Sequence, residues 1–218
     1  MKHMFPRLAS AVFGLMLYAL GIVVTIKANI GYSPWTVFNV GVSKTFGVSI
    51  GMASVIIGFT VVIIVILLKE KIGLGTLLNM ALIGVFLDLI LFIDLIKTPE
   101  IVFLRYPMII LGLFIISVAT FFYVRAGYGA GPRDSLMVAL TRRIKFPVGI
   151  CRSMLELTVT VIGWSLGGMV GIGTIISVVA MGFCIQITFK LFRFNITSVK
   201  HESLYDTFSA LNRKKKPL

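Results

Sequence analysis

Acidic residues are scarce in this 218-residue chain: 8 Asp and Glu stand against 21 Lys and Arg, and charged residues of both signs make up only 13%. A soluble domain carries about a quarter charged residues. With 58% hydrophobic residues the chain is far too apolar to coat itself against water. Cysteine is nearly absent. Cys151 and Cys184 are distant and lie in apolar runs, which excludes a disulfide framework and a Cys-based zinc site. His3 and His201 lie near the two ends with no second ligand at metal-binding spacing. No Ser-His-Asp set, Cys-His pair or HExxH motif is present, so the expectation is a protein that is not an enzyme and uses no cofactor. The net charge of +13 would suggest nucleic acid in a soluble protein. In so apolar a chain it indicates basic loops beside a membrane, and no nucleic-acid partner.

What the sequence has in abundance is long uncharged runs. About 20 apolar residues in a helix cross the hydrocarbon core. Six stretches qualify: Leu8–Ile26, Ile50–Leu68, Leu74–Ile93, Tyr106–Val124, Val148–Leu166 and Ile172–Leu191. The first is too long for a signal peptide's apolar core and has no small-x-small site after it. Two further stretches, Asn29–Phe46 and Gly127–Phe146, are only moderately apolar and too short to cross. Each begins with a glycine-rich turn (Gly31 and Ser33; Gly129 and Gly131). A proline at a helix start follows, Pro34 or Pro132. Both read as half-helices, 34–46 and 132–143, re-entrant or lying at the interface. The fold class expected is all-α, a polytopic membrane protein with about six transmembrane helices.

Basic residues give the expected orientation. With the N-terminus in the cytoplasm and both half-helices returning to their own side, 16 Lys and Arg fall inside and 4 outside, as the positive-inside rule requires. An eight-span arrangement, with both short stretches crossing, gives a similar bias; segment length argues against it. Residues 1–7 are then a cytoplasmic N-terminus, 8–96 a first unit, 97–105 a connecting loop, 106–192 a second unit and 193–218 a cytoplasmic tail. The tail ends Arg213-Lys214-Lys215-Lys216, a run attracted to anionic lipid headgroups.

The second half repeats the first at a constant offset of 98 residues. Six glycines coincide: Gly14 with Gly112, Gly31 with Gly129, Gly51 with Gly149, Gly73 with Gly171, Gly75 with Gly173, and Gly84 with Gly182. Pro34 coincides with Pro132, Thr76 with Thr174, and Lys27 with Arg125. Shared apolar composition raises chance Leu and Val matches but not these. Three spans per unit is an odd number, so the copies should be inverted relative to each other, a common build of transporters. The N-termini of the half-helices would then approach from opposite faces and hold a polar or anionic solute between them. Gly73-Leu74-Gly75-Thr76 and Gly171-Ile172-Gly173-Thr174 are expected to be close-packing points between helices.

Charges inside a span are costly and therefore candidates for function. Glu156 lies near the middle of the fifth span with Arg152 one turn before it, a spacing that puts both on one helix face. This is either an ion pair locking helix packing or a site for a proton or charged solute. Arg133 and Asp134 open the second half-helix. The helix dipole favours Asp134 and opposes Arg133, which therefore needs an acidic partner, a lipid phosphate or an anionic ligand. Asp88 lies deep in the third span. Arg133, Asp134, Arg152, Glu156 and Asp88 form the candidate site.

The motif Gly129-Ala130-Gly131-Pro132-Arg133-Asp134-Ser135, with Arg152-x3-Glu156 and Gly171-Ile172-Gly173-Thr174, resembles the YczE/YyaS/YitT group of bacterial membrane proteins, and within it the YczE branch. Pro34-Trp35 and Gly73-Leu74-Gly75-Thr76-x2-Asn79 agree in the first half, and the resemblance covers about residues 7–190. Two departures stand out: Thr36 where similar proteins often carry Asp, and Phe183 where they often carry Pro. The resemblance implies a multi-pass protein of the bacterial inner membrane and no established substrate. The function expected is a small-solute transporter with its site between inverted repeats. The alternative is a non-transporting scaffold for another membrane or biosynthetic enzyme, marked by a dry, glycine-packed seam. A homo-oligomer is a further expectation for so small a chain.

Overall fold

A computed structural model describes residues 4–194, 199 and 202–204. His3, His201 and the basic run Arg213–Lys216 lie outside the described residues. Eight α-helices follow in order: α1 Met4–Ala28, α2 Pro34–Phe46, α3 Ile50–Leu67, α4 Leu74–Ile93, α5 Val102–Arg125, α6 Pro132–Ile144, α7 Val148–Ser165 and α8 Ile172–Leu191. Among the described residues there is no strand. Five helices, α1, α3, α4, α5 and α8, are long and apolar enough to cross a membrane. The sixth candidate is α6 with α7, bent by 120° at the break between them. The protein is thus a polytopic, all-helical membrane protein.

The helix ends follow local chemistry. Pro34 and Pro132 occupy the first turn of α2 and α6 behind the extended residues Ser33 and Gly131, since proline's missing N–H costs nothing there. Ser49 caps α3 by accepting from the Met52 N–H at 3.0 Å. The α4 and α8 starts are built alike: Thr76 Oγ1 accepts from Gly73 N, and Thr174 Oγ1 from Gly171 N, both at 3.1 Å.

Contacts between the halves come in reciprocal pairs 98 residues apart. Gly75 N donates to Tyr128 O, and Gly173 N to Ile30 O, both at 2.7 Å. Gly14 packs against Ala119 and Tyr123, and Gly112 against Gly21 and Thr25. A side chain at Gly14 or Gly112 would overlap the facing helix backbone, so glycine sets the closeness of the α1–α5 seam. The pairing of early α1 with late α5, and late α1 with early α5, makes these two helices antiparallel. The same exchange links α2 with α7 and α3 with α6.

One reciprocity fails. In the first half α3 lies along α4; in the second half α7 and α8 scarcely touch. A Cβ on Gly51 or Gly84 would lie 2.1 or 2.5 Å from the other's carbonyl oxygen. A Cβ on Gly149 or Gly182 would meet nothing within 4 Å.

Candidate functional site

The two half-helices meet at their N-termini. The guanidinium of Arg133, the second residue of α6, stacks over the indole of Trp35, the second residue of α2, with Cζ 4.7 Å from the ring centroid. Trp35 and Arg133 are themselves 98 residues apart, so equivalent positions of the two halves meet in this pair. Cation–π stacking contributes about 0.5–2 kcal/mol depending on desolvation. It also gives Arg133 a partner that its own helix dipole denies it.

Around this pair lies a mid-bundle cavity of about 150 Å³, lined by Arg133, Asp134, Arg152 and Glu156 with Tyr18 and Asn79. A second lobe of about 90 Å³ continues past Ser33, Pro34, Arg152 and Glu156 to Ser177 of α8. Arg152 Nε donates to Glu156 Oε1 at 2.9 Å across one turn of α7. The lining therefore carries two guanidinium and two carboxyl groups, with Arg152 and Asp134 exposed and Arg133 and Glu156 half-buried. The two half-helix N-termini add partial positive charge from free N–H groups.

The remaining polar groups are disposed differently on the two sides. Thr36, which stands at the position matching Asp134, hydrogen-bonds Ser33 through its hydroxyl at 2.9 Å. The Ser177 hydroxyl is buried, lines the second lobe and has no partner among the described residues. Buried polar groups are nearly always satisfied, so this hydroxyl is an exception at the edge of the lobe.

Four of the five candidate residues are brought together here: Arg133, Asp134, Arg152 and Glu156. Asp88 is not. It sits at the start of α3, accepting from the Gly51 N–H at 2.7 Å and from the Ser49 hydroxyl. Its carboxylate satisfies orphan donors of a helix N-terminus, a structural role that clamps α4 to α3. Depth along a span suggested Asp88; its helix face, which only packing reveals, takes it away from the cavity. Sequence reasoning also overlooked Tyr18 and Ser177, ordinary residues in apolar runs. The signal for Trp35 was present, since it occupies the position matching Arg133.

The glycine turns support the site from outside. Gly31 and Gly129 both adopt φ of +111°, a left-handed conformation that L side chains rarely adopt. Each lies against the start of a spanning helix of the other half, Gly31 on Gly171 and Gly129 on Gly73. Thr76 Oγ1 also donates to Ala130 O at 2.6 Å, which fixes the loop leading into Gly131, Pro132 and Arg133. Among the described residues no group of three His, Cys, Asp or Glu comes together to hold a metal ion.

Residues 5–190 match the sequence profile described as "Family of unknown function (DUF6198)". The chain belongs to this family. It is 37% identical to the "Uncharacterized membrane protein YczE" of Bacillus subtilis over 177 residues, covering 79% of this chain and 80% of that protein. An "Uncharacterized protein" of Haemophilus influenzae is 32% identical over 182 residues, 84% and 83% of the two chains. The "Uncharacterized protein YyaS" of Bacillus subtilis is 27% identical over 190 residues, 86% and 92%. No solved structure matches the chain.

Proposed function

We propose that this DUF6198 protein is a transporter, with its substrate site in the cavity between the two half-helices and its halves inverted in the membrane. The observation that carries the reading is the Trp35–Arg133 pair, formed by equivalent positions of the duplicated sequence, inside a cavity whose other charges are Asp134, Arg152 and Glu156. A scaffold needs no charged cavity between its halves, and placing unused charge within a membrane-spanning bundle is expensive. A carrier needs a chamber where a polar solute can replace its water shell with fixed protein groups. The antiparallel α1–α5 seam and the reciprocal contacts support inversion. Rocking one half against the other would then expose the chamber alternately to the two faces. No covalent step is required of any residue, so the reading is a carrier and not an enzyme.

The orientation that accompanies this reading places Arg7 and Glu202, which form an ion pair at 2.8 Å, on the cytoplasmic face. The Lys27–Asp94–Lys97 cluster lies at the other end. Purified protein in liposomes, challenged with labelled water-soluble zwitterions, tests the reading. Flux is expected in the native protein and lost in Arg133→Ala and Glu156→Gln. Unchanged flux in both variants overturns the site assignment.

A further inference from the structure

The failed reciprocity between α3/α4 and α7/α8 has a physical cause in the sequence. In the first half the seam is closed by the Gly51–Gly84 approach and bolted by Asp88, which accepts from Ser49 and Gly51. The matching positions in the second half keep both glycines, Gly149 and Gly182, but replace Asp88 by Gln186 and Ser49 by Pro147. The carboxylate is gone, and so is the hydroxyl that donated to it. The close-packing surface is preserved while its clamp is missing, so this seam can open.

What the opening reaches is equally specific. Between α7 and α8 lies a groove of about 290 Å³, walled by Leu157, Thr160, Ile175, Val178 and Val179. Ile175, Val178 and Val179 are 50–67% exposed on the outer surface of the bundle, where acyl chains would surround them. The inner end of the groove is Pro34 and Glu156, and both also line the charged cavity. Val178 borders both spaces, and Ser177, whose buried hydroxyl has no partner among the described residues, lies beside it at the edge of the cavity lobe. An apolar slot open to lipid thus lies against the charged cavity, with Pro34, Glu156 and Val178 as the wall common to both.

We propose that the α7–α8 seam is a lateral portal, and that the site takes a zwitterionic amphiphile from the bilayer. Its chain occupies the groove. The anionic part of its head lies against Arg133, the Ser177 hydroxyl and the half-helix N-termini. The cationic part faces Asp134 and Glu156. Formal charges in the chamber cancel, so a net-neutral head loses its hydration shell without leaving an unpaired charge behind. A molecule entering sideways also needs no wide aqueous mouth, which suits a cavity of this size. This deepens the transport reading, because it names the class of substrate for the same site.

The chain's two tryptophans provide the test. Trp164 is exposed on α7, whereas Trp35 lines the cavity. A Trp164→Phe variant leaves Trp35 as the sole reporter. It is reconstituted in vesicles of phosphatidylethanolamine brominated in the acyl chain, where bromine quenches indole only at contact range. Trp35 fluorescence is expected to be quenched. Gly149→Cys with Gly182→Cys, in a background of Cys151→Ala and Cys184→Ala, is expected to form a disulfide as the seam closes, and quenching is then lost. If that variant fails to fold, Val178→Phe, which fills the groove at an exposed position, is expected to lower the quenching instead. No quenching of Trp35 in the open protein overturns the portal, as does quenching indifferent to both changes. Brominated phosphatidylglycerol quenching as strongly as the zwitterionic lipid overturns the head assignment. Flux of a water-soluble zwitterion that depends on Arg133 and Glu156, without lipid quenching, leaves transport standing and removes the portal. Quenching that the seam controls, without flux of any kind, does the reverse.

Discussion

Replacing Gly84 by alanine and, separately, Gly182 by alanine perturbs two positions that are equivalent in the duplicated sequence and opposite in structure. At Gly84 the new methyl carbon would lie 2.5 Å from the Gly51 carbonyl oxygen and 2.5 Å from Val55 Cγ2. The first of these is helix backbone, so α3 and α4 must separate. Overpacking of this kind costs about 1–3 kcal/mol. Alanine in a helix regains roughly 0.5–1 kcal/mol over glycine, which leaves a net loss of up to about 2.5 kcal/mol. At Gly182 the methyl meets nothing within 4 Å, so only the helix-propensity gain of about 0.5–1 kcal/mol remains. The two substitutions therefore change stability in opposite directions. Thermal unfolding of purified protein in one detergent reads the difference, at roughly 2–4 °C per kcal/mol for a chain of this length. Equal shifts of the same sign would refute the claim that the seams differ.

Further outcomes follow from the site and its surroundings. Trp35→Leu removes the face on which Arg133 stacks and is expected to abolish flux while lowering stability by about 0.5–2 kcal/mol, checked by transport and unfolding together. Asp88→Ala leaves the Gly51 N–H without its acceptor and is expected to destabilise by about 1–3 kcal/mol, with hydrogen exchange rising first at the start of α3. Asp94 accepts hydrogen bonds from Lys27 and Lys97, which hold its carboxyl at about 2, below the ordinary value. A carboxyl depressed in the folded state stabilises above its unfolded value of about 3.9, and that contribution disappears as pH falls towards about 2. Unfolding midpoints measured across that window should fall more steeply in the native protein than in Asp94→Asn. The Arg142–Glu70 pair, at 2.9 Å with Arg142 mostly exposed, is expected to contribute no more than about 1 kcal/mol, seen as a near-native midpoint for Arg142→Ala.

Much of this architecture was legible in the residues because membrane helices obey a strong constraint. Backbone groups in lipid must bond internally, so apolar run length marked the spans, and proline after a small residue marked both short helices. The duplication was legible because glycine is interchangeable with nothing where backbones meet. The local pairing of Arg152 with Glu156 followed from helix periodicity alone. The stacking of Arg133 on Trp35 was harder to read, since charge considerations pointed to an acidic or anionic partner and said nothing of an aromatic face. Asp88 was misplaced because depth along a helix says nothing about which side of it faces the cavity. The open α7–α8 seam was the least legible feature. Its glycines match those of the closed seam, and the difference lies in two substitutions, Gln186 and Pro147, whose effect depends on what they fail to hold.

The central claim is that two inverted halves meet through their half-helices. Lys44 lies in the last turn of α2 and donates to the Gly167 carbonyl at 2.9 Å, while Arg142 lies in the last turn of α6 beside Glu70. Single cysteines at these two positions, in a chain lacking Cys151 and Cys184, can be labelled by a membrane-impermeant maleimide on either face of oriented vesicles. The account predicts that Lys44→Cys reacts from the outer face only and Arg142→Cys from the inner face only. Labelling of both from the same face would contradict it.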